Sequence, residues 1–226
     1  MKIYIIHYTK LHLRKEKIID ILKNKNFNYE FIEEYDKEFV VNNTYYSINK
    51  NTFEQKIKNL WNINDHKFRI LNDAEISCTI KHILAIEKIS KQNEDCGLIL
   101  EDDVLPVDNS FAVDIQNIIK NAPSDWDAIF IGSGCGYEFI NEKIKNISLQ
   151  NKNFAKIKHP ATNCAEAYIL KKDTAKKIYE SIIPFNLVSD WELAYQFYKL
   201  NMNVYWFIPA LFYQGSKSGQ YSSTLR

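Results

Sequence analysis

Apolar and polar positions along the chain switch repeatedly between strand-like and helical spacing. Residues 2–8 form a nearly continuous apolar run of strand character, and over 14–25 Ile18, Ile19, Ile21 and Leu22 make one helical stripe. A second strand is predicted over 27–32. Residues 33–72, rich in Asn, Lys and aromatics, carry no legible period, and no element is assigned over 42–51. From Ala74 to about Gln92, Ile76, Ile80, Ile83, Leu84, Ile86 and Ile89 spread apolar surface around much of the circumference, which predicts a buried helix capped by Asp73. Residues 96–100 are apolar without alternation and are followed at once by charge, as central strands of parallel sheets tend to be. Asn109 or Ser110 can start a helix reaching Asn121, and 126–132 is another buried strand. Residues 165–170 are a strand, Asp173 caps a helix to Ile183, Ser189 caps one to about Leu200, and 203–208 is the last strand. Strand and helix alternate, so the expected class is α/β, with a mainly parallel central sheet flanked by helices.

The 226 residues can bury a full core and are most economically a single domain over 1–226, with no linker, repeat or low-complexity stretch. The opening Met-Lys-Ile-Tyr-Ile-Ile-His is too short for a signal sequence, and no run reaches the ~18 apolar residues of a membrane span. A cytoplasmic protein is expected. Lys and Arg total 29 against 28 Asp and Glu, which gives no reason to expect a nucleic-acid partner. Lys10, Arg14, Lys15, Lys17, Lys23 and Lys25 make the amino end basic. Such a segment suits a phosphate-bearing ligand, the anionic inner face of a membrane, or simply a solvated helix face. Cys78, Cys96, Cys135 and Cys164 match no zinc spacing and read as reduced, mostly buried small residues.

The strongest chemical signal is Glu101-Asp102-Asp103, three consecutive carboxylates directly after a buried strand. Ligands of open α/β sheets bind beyond the carboxyl ends of strands, and hard oxygen ligands there suit Mg²⁺ or Mn²⁺ bridging to a diphosphate. The plain alternative is a solvated acidic turn. Gly132-Ser-Gly-Cys-Gly136 is no dinucleotide fingerprint, because Tyr137 stands where the third glycine belongs; a flexible turn lining a cleft fits better. Glu75, Cys78, Thr79 and His82 share one helical face, with His82 expected to support the cleft. Ser189-Asp190-Trp191-Glu192 has the form of a capping box, which employs Glu192 and leaves Asp190 in the first turn as a candidate base or a dipole-complementing residue. The helix start is expected to keep its pKa low. In Pro209-Ala-Leu-Phe-Tyr-Gln-Gly-Ser-Lys-Ser-Gly219, exposed backbone N–H groups and Lys217 could hold phosphate oxygens, or the stretch could be an ordinary flexible tail.

Taken in order, these motifs resemble glycosyltransferase family 25, the lipooligosaccharide-type sugar transferases whose relatives include collagen galactosyltransferases. The resemblance runs from Ile3-Tyr-Ile-Ile-His-Tyr-Thr-Lys-Leu and Arg14-Lys15, with His7 where the family commonly has Asn, through Glu75-Ile-Ser-Cys-Thr-Ile-Lys-His82, with Lys81 in place of Ser. It continues with Leu98-Ile-Leu-Glu-Asp-Asp-Val104, Trp126-Asp-Ala-Ile-Phe-Ile-Gly132, Asn163-Cys-Ala-Glu-Ala-Tyr-Ile-Leu170, Asp190-Trp191, Gln214-Gly-Ser-Lys-Ser-Gly219 and Ser222-Ser223. It implies a GT-A-type fold, nucleotide-binding over about 1–105 and acceptor-binding over about 106–226. The implied reaction is an inverting transfer of a hexose, galactose or glucose, from a UDP-sugar donor to a hydroxyl of a glycan or glycoconjugate acceptor, with Mn²⁺ or Mg²⁺.

Under that resemblance Asp103 is the metal ligand with Asp102 beside it, and Gln214 reaches the ion from the opposite side. Glu101 meets the ribose or a metal-bound water, Thr9 and Arg14 lie at the nucleotide, and Gly215, Ser216 and Lys217 close on the diphosphate. Asp190 accepts the acceptor's proton, with Glu192 next in line. Two other classes use the same carboxylates: a metal-dependent hydrolase of nucleotide sugars or phosphoesters, and a non-catalytic sugar-nucleotide-binding module.

Overall fold

A computed structural model describes residues 1–61, 67–134, 148–151, 153–156 and 164–223. The chain opens with strand β1 (Lys2–Ile6), helix α1 (His12–Leu22) and β2 (Asn28–Ile32), followed by α2 (Lys50–Trp61) and α3 (Asp73–Lys91). Then come β3 (Cys96–Glu101), β4 (Val104–Pro106), α4 (Phe111–Asn121), β5 (Ala128–Phe130), β6 (Ser148–Asn151) and β7 (Phe154–Lys156). The chain continues through β8 (Ala167–Lys171), α5 (Lys172–Ile182), α6 (Ser189–Lys199), β9 (Val204–Phe207) and β10 (Phe212–Gln214). Among the described residues, eight strands form one sheet in the order β2-β1-β3-β8-β5-β9-β7-β6. All run the same way except β8, antiparallel to β3 and β5, and β7, antiparallel to β9 and β6. The expected α/β architecture with a mainly parallel sheet flanked by helices is thus borne out.

The unbroken apolar character of the central strands follows from burial on both faces. Along β1, Tyr4 and Ile6 point into a core built with α3, α5 and α6, while Ile3 and Ile5 point into a second core with α1 and α4. In β3, Ile99 joins the first core, and Leu98 and Leu100 join the second. The isoleucines of α3 explain why it reads as apolar on several sides: Ile80, Ile83 and Ile89 have no exposed surface, and each such burial contributes roughly 1.5–3 kcal/mol.

Three helix starts differ from expectation. α3 is capped by Asn72, one residue earlier than expected: Asn72 Oδ1 accepts from the Glu75 N–H at 2.9 Å, and Glu75 Oε2 accepts from the Asn72 N–H at 3.0 Å. Asp173 lies in the first turn of α5, whose cap position is Lys171, and the cap position of α6 is Val188, with no side-chain cap at either. Helix α2 falls in the stretch that showed no period. Its Phe53, Ile57 and Leu60 pack with Leu187 and Ala194 in a third core cluster. Beyond β3 the chain turns into the short β4, which pairs with β10 so that Val104 faces Gln214. This two-stranded ribbon brings the carboxyl-terminal loop to the acidic turn.

Candidate active site

The three carboxylates leave the end of β3 in different directions and meet different partners. Asp102 is buried and engaged on both oxygens: Oδ2 lies 2.8 Å from His7 Nδ1, and Oδ1 accepts from Arg14 Nη1 at 2.8 Å. It anchors the end of β1 and the first turns of α1 to the acidic turn. Asp103 is also buried; its Oδ2 accepts from the Ser216 N–H at 3.3 Å, whereas Oδ1 has no partner among the described residues. Burial raises the Asp103 carboxyl above the ordinary range, with the Ser216 hydrogen bond opposing the shift. Glu101 Oε2 accepts from Gln214 Nε2 at 3.0 Å, and its Oε1 lies 3.3 Å from His82 Nε2. Burial, then the charges of Asp103, Asp190 and Asp102, push the Glu101 carboxyl up to about 8. Burial likewise lowers His82 to about 4, so at neutral pH a carboxylic acid faces a neutral imidazole.

The loop after β10 closes on this turn. The Gly215 N–H donates to the Asp103 carbonyl at 2.7 Å. A Cβ at Gly215 would stand 2.8 Å from that carbonyl oxygen and 2.5 Å from the Tyr221 ring, so the close approach requires glycine. Arg14 completes the closure: Nη2 donates to the Ser222 carbonyl at 2.6 Å, and the guanidinium lies 5.0 Å from the centre of the Tyr221 ring. Further along, Lys217 Nζ lies 2.6 Å from Cys164 Sγ and 3.4 Å from the Gly134 carbonyl.

The resulting cleft, about 650 Å³ including space open to solvent, is lined by Arg14, Glu101, Asp102, Asp103, Gln214 and Ser216 among the expected site residues. His7, Cys78 and Lys81 join them in its wall. Thr9, Gly215, Lys217, Asp190 and Glu192 are not part of the lining. Thr9 donates its hydroxyl and its N–H to Asp36, which also pairs with the buried Lys81 at 2.7 Å. Lys81 in addition donates to the His7 carbonyl at 2.7 Å, so it braces the end of β1 from within.

Asp190 sits at the start of α6, where Oδ2 accepts from the Cys164 N–H at 2.8 Å and Oδ1 from the Trp191 N–H at 2.9 Å. The expected low pKa is overturned: burial outweighs these hydrogen bonds and raises the carboxyl. The expected capping box is absent. Glu192 instead is fully buried, accepts from Lys56 Nζ at 2.7 and 2.8 Å, and also accepts from the N–H groups of Asn186 and Leu187. As a reserve base it is misplaced, since its carboxylate holds α2 against α6.

One site residue escaped the sequence reading. Glu166 is buried just ahead of β8; its Oε1 accepts from the Gly134 N–H at 2.6 Å, and burial pushes the carboxyl up to about 7. A Cβ at Gly132 would lie 2.5 Å from the same Oε1, which accounts for that glycine. The signal was a lone charge inside an apolar strand run. Of the motif residues named above, Cys135, Gly136, Tyr137 and Asn163 lie outside the described residues.

Among the described residues the buried acidic turn has an oxygen without a partner and two carboxyls raised by burial, so it is short of positive charge, and a divalent cation fits that shortage. The family comparison defines the class as a sugar-transferring enzyme. The model of glycosyltransferase family 25 (LPS biosynthesis protein) matches residues 1–193, and the chain belongs to that family. No curated protein sequence matches it. Among solved structures it is similar to the galactosyltransferase LgtC in complex with donor and acceptor sugar analogs, at 11% identity and a TM-score of 0.42 over 91% of this chain and 73% of that one. Mouse xyloside xylosyltransferase 1 is similar at 8% identity and a TM-score of 0.40, over 89% and 69%. Among the described residues no helix is long and apolar enough to cross a membrane.

Proposed function

We propose that this glycosyltransferase is a single GT-A-type domain that moves a hexose, galactose or glucose, from a UDP-sugar to a hydroxyl of a glycan or glycoconjugate, with inversion and with Mn²⁺ or Mg²⁺. The observation that carries the reading is Asp103 Oδ1, buried without a partner among the described residues at the wall of a cleft that also holds Arg14 and Gln214. Asp103 would hold the ion, with Asp102 beside it. Gln214, whose Nε2 is spent on Glu101, would offer its Oε1. The ion, when bound, would neutralise charge growing on the diphosphate as the glycosidic bond breaks.

The chain's own residues supply the rest. Arg14 fixes Asp102 and the Tyr221–Ser222 segment at once, so the acidic turn and the loop meant to close on the diphosphate share one support. Lys217 brings a cation to the Gly134 side of that loop. Asp190 takes the proton of the attacking hydroxyl, and its raised pKa suits it to that task better than an exposed aspartate. The basic amino end, with Leu13, Phe39 and Val41 exposed, is compatible with work at the inner face of a membrane.

Calorimetry of UDP binding with and without Mn²⁺ tests the metal assignment: Asp103→Ala should abolish the metal-dependent part, and undiminished binding sinks it. Product analysis over a panel of UDP-sugars tests the reaction. Sugar transfer that requires an acceptor supports the reading, whereas free sugar released at a rate no acceptor alters makes the protein a hydrolase. UDP-sugar binding without turnover, with any acceptor, makes it a binding module.

A further inference from the structure

We infer that Cys78, His82 and Glu101 form a second metal site, selective for a thiolate-seeking divalent cation of the Zn²⁺ class. Cys78 and His82 stand four residues apart on α3 and so share one face of a buried helix, and Glu101 meets that face from the end of β3. One ligand atom from each of the three lies within 4.8 Å of the others. His82 Nε2 and Glu101 Oε1 are already 3.3 Å apart, and ligand atoms around a tetrahedral Zn²⁺ stand roughly 3.3–3.7 Å from one another. With all three ligand atoms within 4.8 Å of one another, at most about 1.5 Å of side-chain adjustment separates the set from tetrahedral spacing.

Each ligand is held from behind. Tyr168 Oη lies 3.0 Å from His82 Nδ1, and its ring stacks on the imidazole with centroids 5.9 Å apart, which aims Nε2 at the cluster. Gln214 holds the other Glu101 oxygen at 3.0 Å, and Ser189 Oγ lies 3.9 Å from Cys78 Sγ. Sulfur and imidazole ligands favour Zn²⁺ or Co²⁺ over Mg²⁺ and Mn²⁺, so this set differs in kind from the oxygens of Asp103. Cys78 and Glu101 line the cleft, which gives an ion a way in and leaves a fourth position open to solvent or ligand.

The test uses the metal-free full chain under a phosphine reductant, titrated with Co²⁺. The expected result is a near-ultraviolet thiolate-to-cobalt band that saturates at one ion per chain and is bleached by Zn²⁺. Cys78→Ser should remove the band, Tyr168→Phe should weaken affinity about 10–100-fold, and Asp103→Asn should leave the band intact. Loss of the band in Asp103→Asn would merge the two sites and end the proposal without touching the donor-site reading. So would a silent wild type, or a band that survives Cys78→Ser. Because Cys78→Ser could itself misfold, alkylation of the wild type read by peptide mass mapping is the second measurement. Zn²⁺ should protect Cys78, and equal labelling with and without the ion overturns the site.

Discussion

Arg14 and Asp102 form a buried ion pair, Nη1 to Oδ1 at 2.8 Å with the arginine side chain 9% and the aspartate 8% exposed, that joins the first helix to the acidic turn. Removing one partner of such a pair strands the other charge in a poorly solvated place, at a cost of about 3–5 kcal/mol. Arg14→Met should therefore lower the unfolding free energy, measured by urea titration, by that amount. It should also free the Tyr221–Ser222 segment, read as faster amide exchange there. A loss under about 1 kcal/mol would show that Asp102 is solvated without its arginine.

Asp190 and Glu192 should separate cleanly. Glu192→Ala leaves Lys56 buried and unpaired, so it should destabilise by about 3–5 kcal/mol and lower activity only through folding. Asp190→Asn keeps the shape of the helix start, so UDP affinity should hold while turnover falls about 10²–10⁴-fold. Near-normal turnover in Asp190→Asn would place the base elsewhere.

Stability should fall as pH rises from about 6.5 to about 8. Glu101 is raised from 4.5 to about 8, so between those values the folded chain keeps a proton that the unfolded chain has lost, and each step up in pH favours unfolding. Glu166, raised to about 7, adds to the decline over its lower part. His82 acts in the opposite sense, but only between about 4 and 6.5. From pH 6.5 to 8 the carboxyls are therefore unopposed by His82, and the urea midpoint in metal-free buffer should drop. Glu101→Gln should flatten most of that slope; an unchanged slope would assign it to other groups.

Gly215→Ala places a methyl against a backbone oxygen that cannot rotate away. The expected cost is about 1–3 kcal/mol, with UDP affinity reduced as the loop lifts from Asp103. Calorimetry on a variant shown folded by circular dichroism separates the two effects, and normal affinity would remove the loop from the donor site.

Much of the fold was legible because burial on both faces leaves a plain mark: the strand cores of β1, β3, β5, β8 and β9 and the body of α3 fall where continuous apolar runs predict them. Helix α2 was invisible because only Phe53, Ile57 and Leu60 mark its inner face and its pairing charge, Lys56, looks like any surface lysine. The cap at Asp73 is off by one because the equally suitable Asn72 adjoins it, whereas α5 and α6 start from Lys171 and Val188 with no side-chain cap, so Asp173 and Ser189 mark those starts only approximately. Within the site, the acidic turn and the loop at Gln214 to Lys217 were readable from composition. The partners of Asp102 and Asp190 and the burial of Glu166 were not, since each arises from segments far apart in the chain.

The reversed strand β8 has a consequence for how such a protein can change. Its first residues arrive at the edge where β3 departs, and the Glu101 N–H donates to the Glu166 carbonyl at 2.9 Å across that junction. The acidic turn is thus tied to the start of β8 as well as to the end of β3. A substitution that shifts the start of β8 is therefore felt at the carboxylates, while the ladder from Cys96 to Leu100 holds the rest of β3 in place. Change can accordingly reach the acidic turn through the neighbouring strand while the sheet beneath it stays as it is.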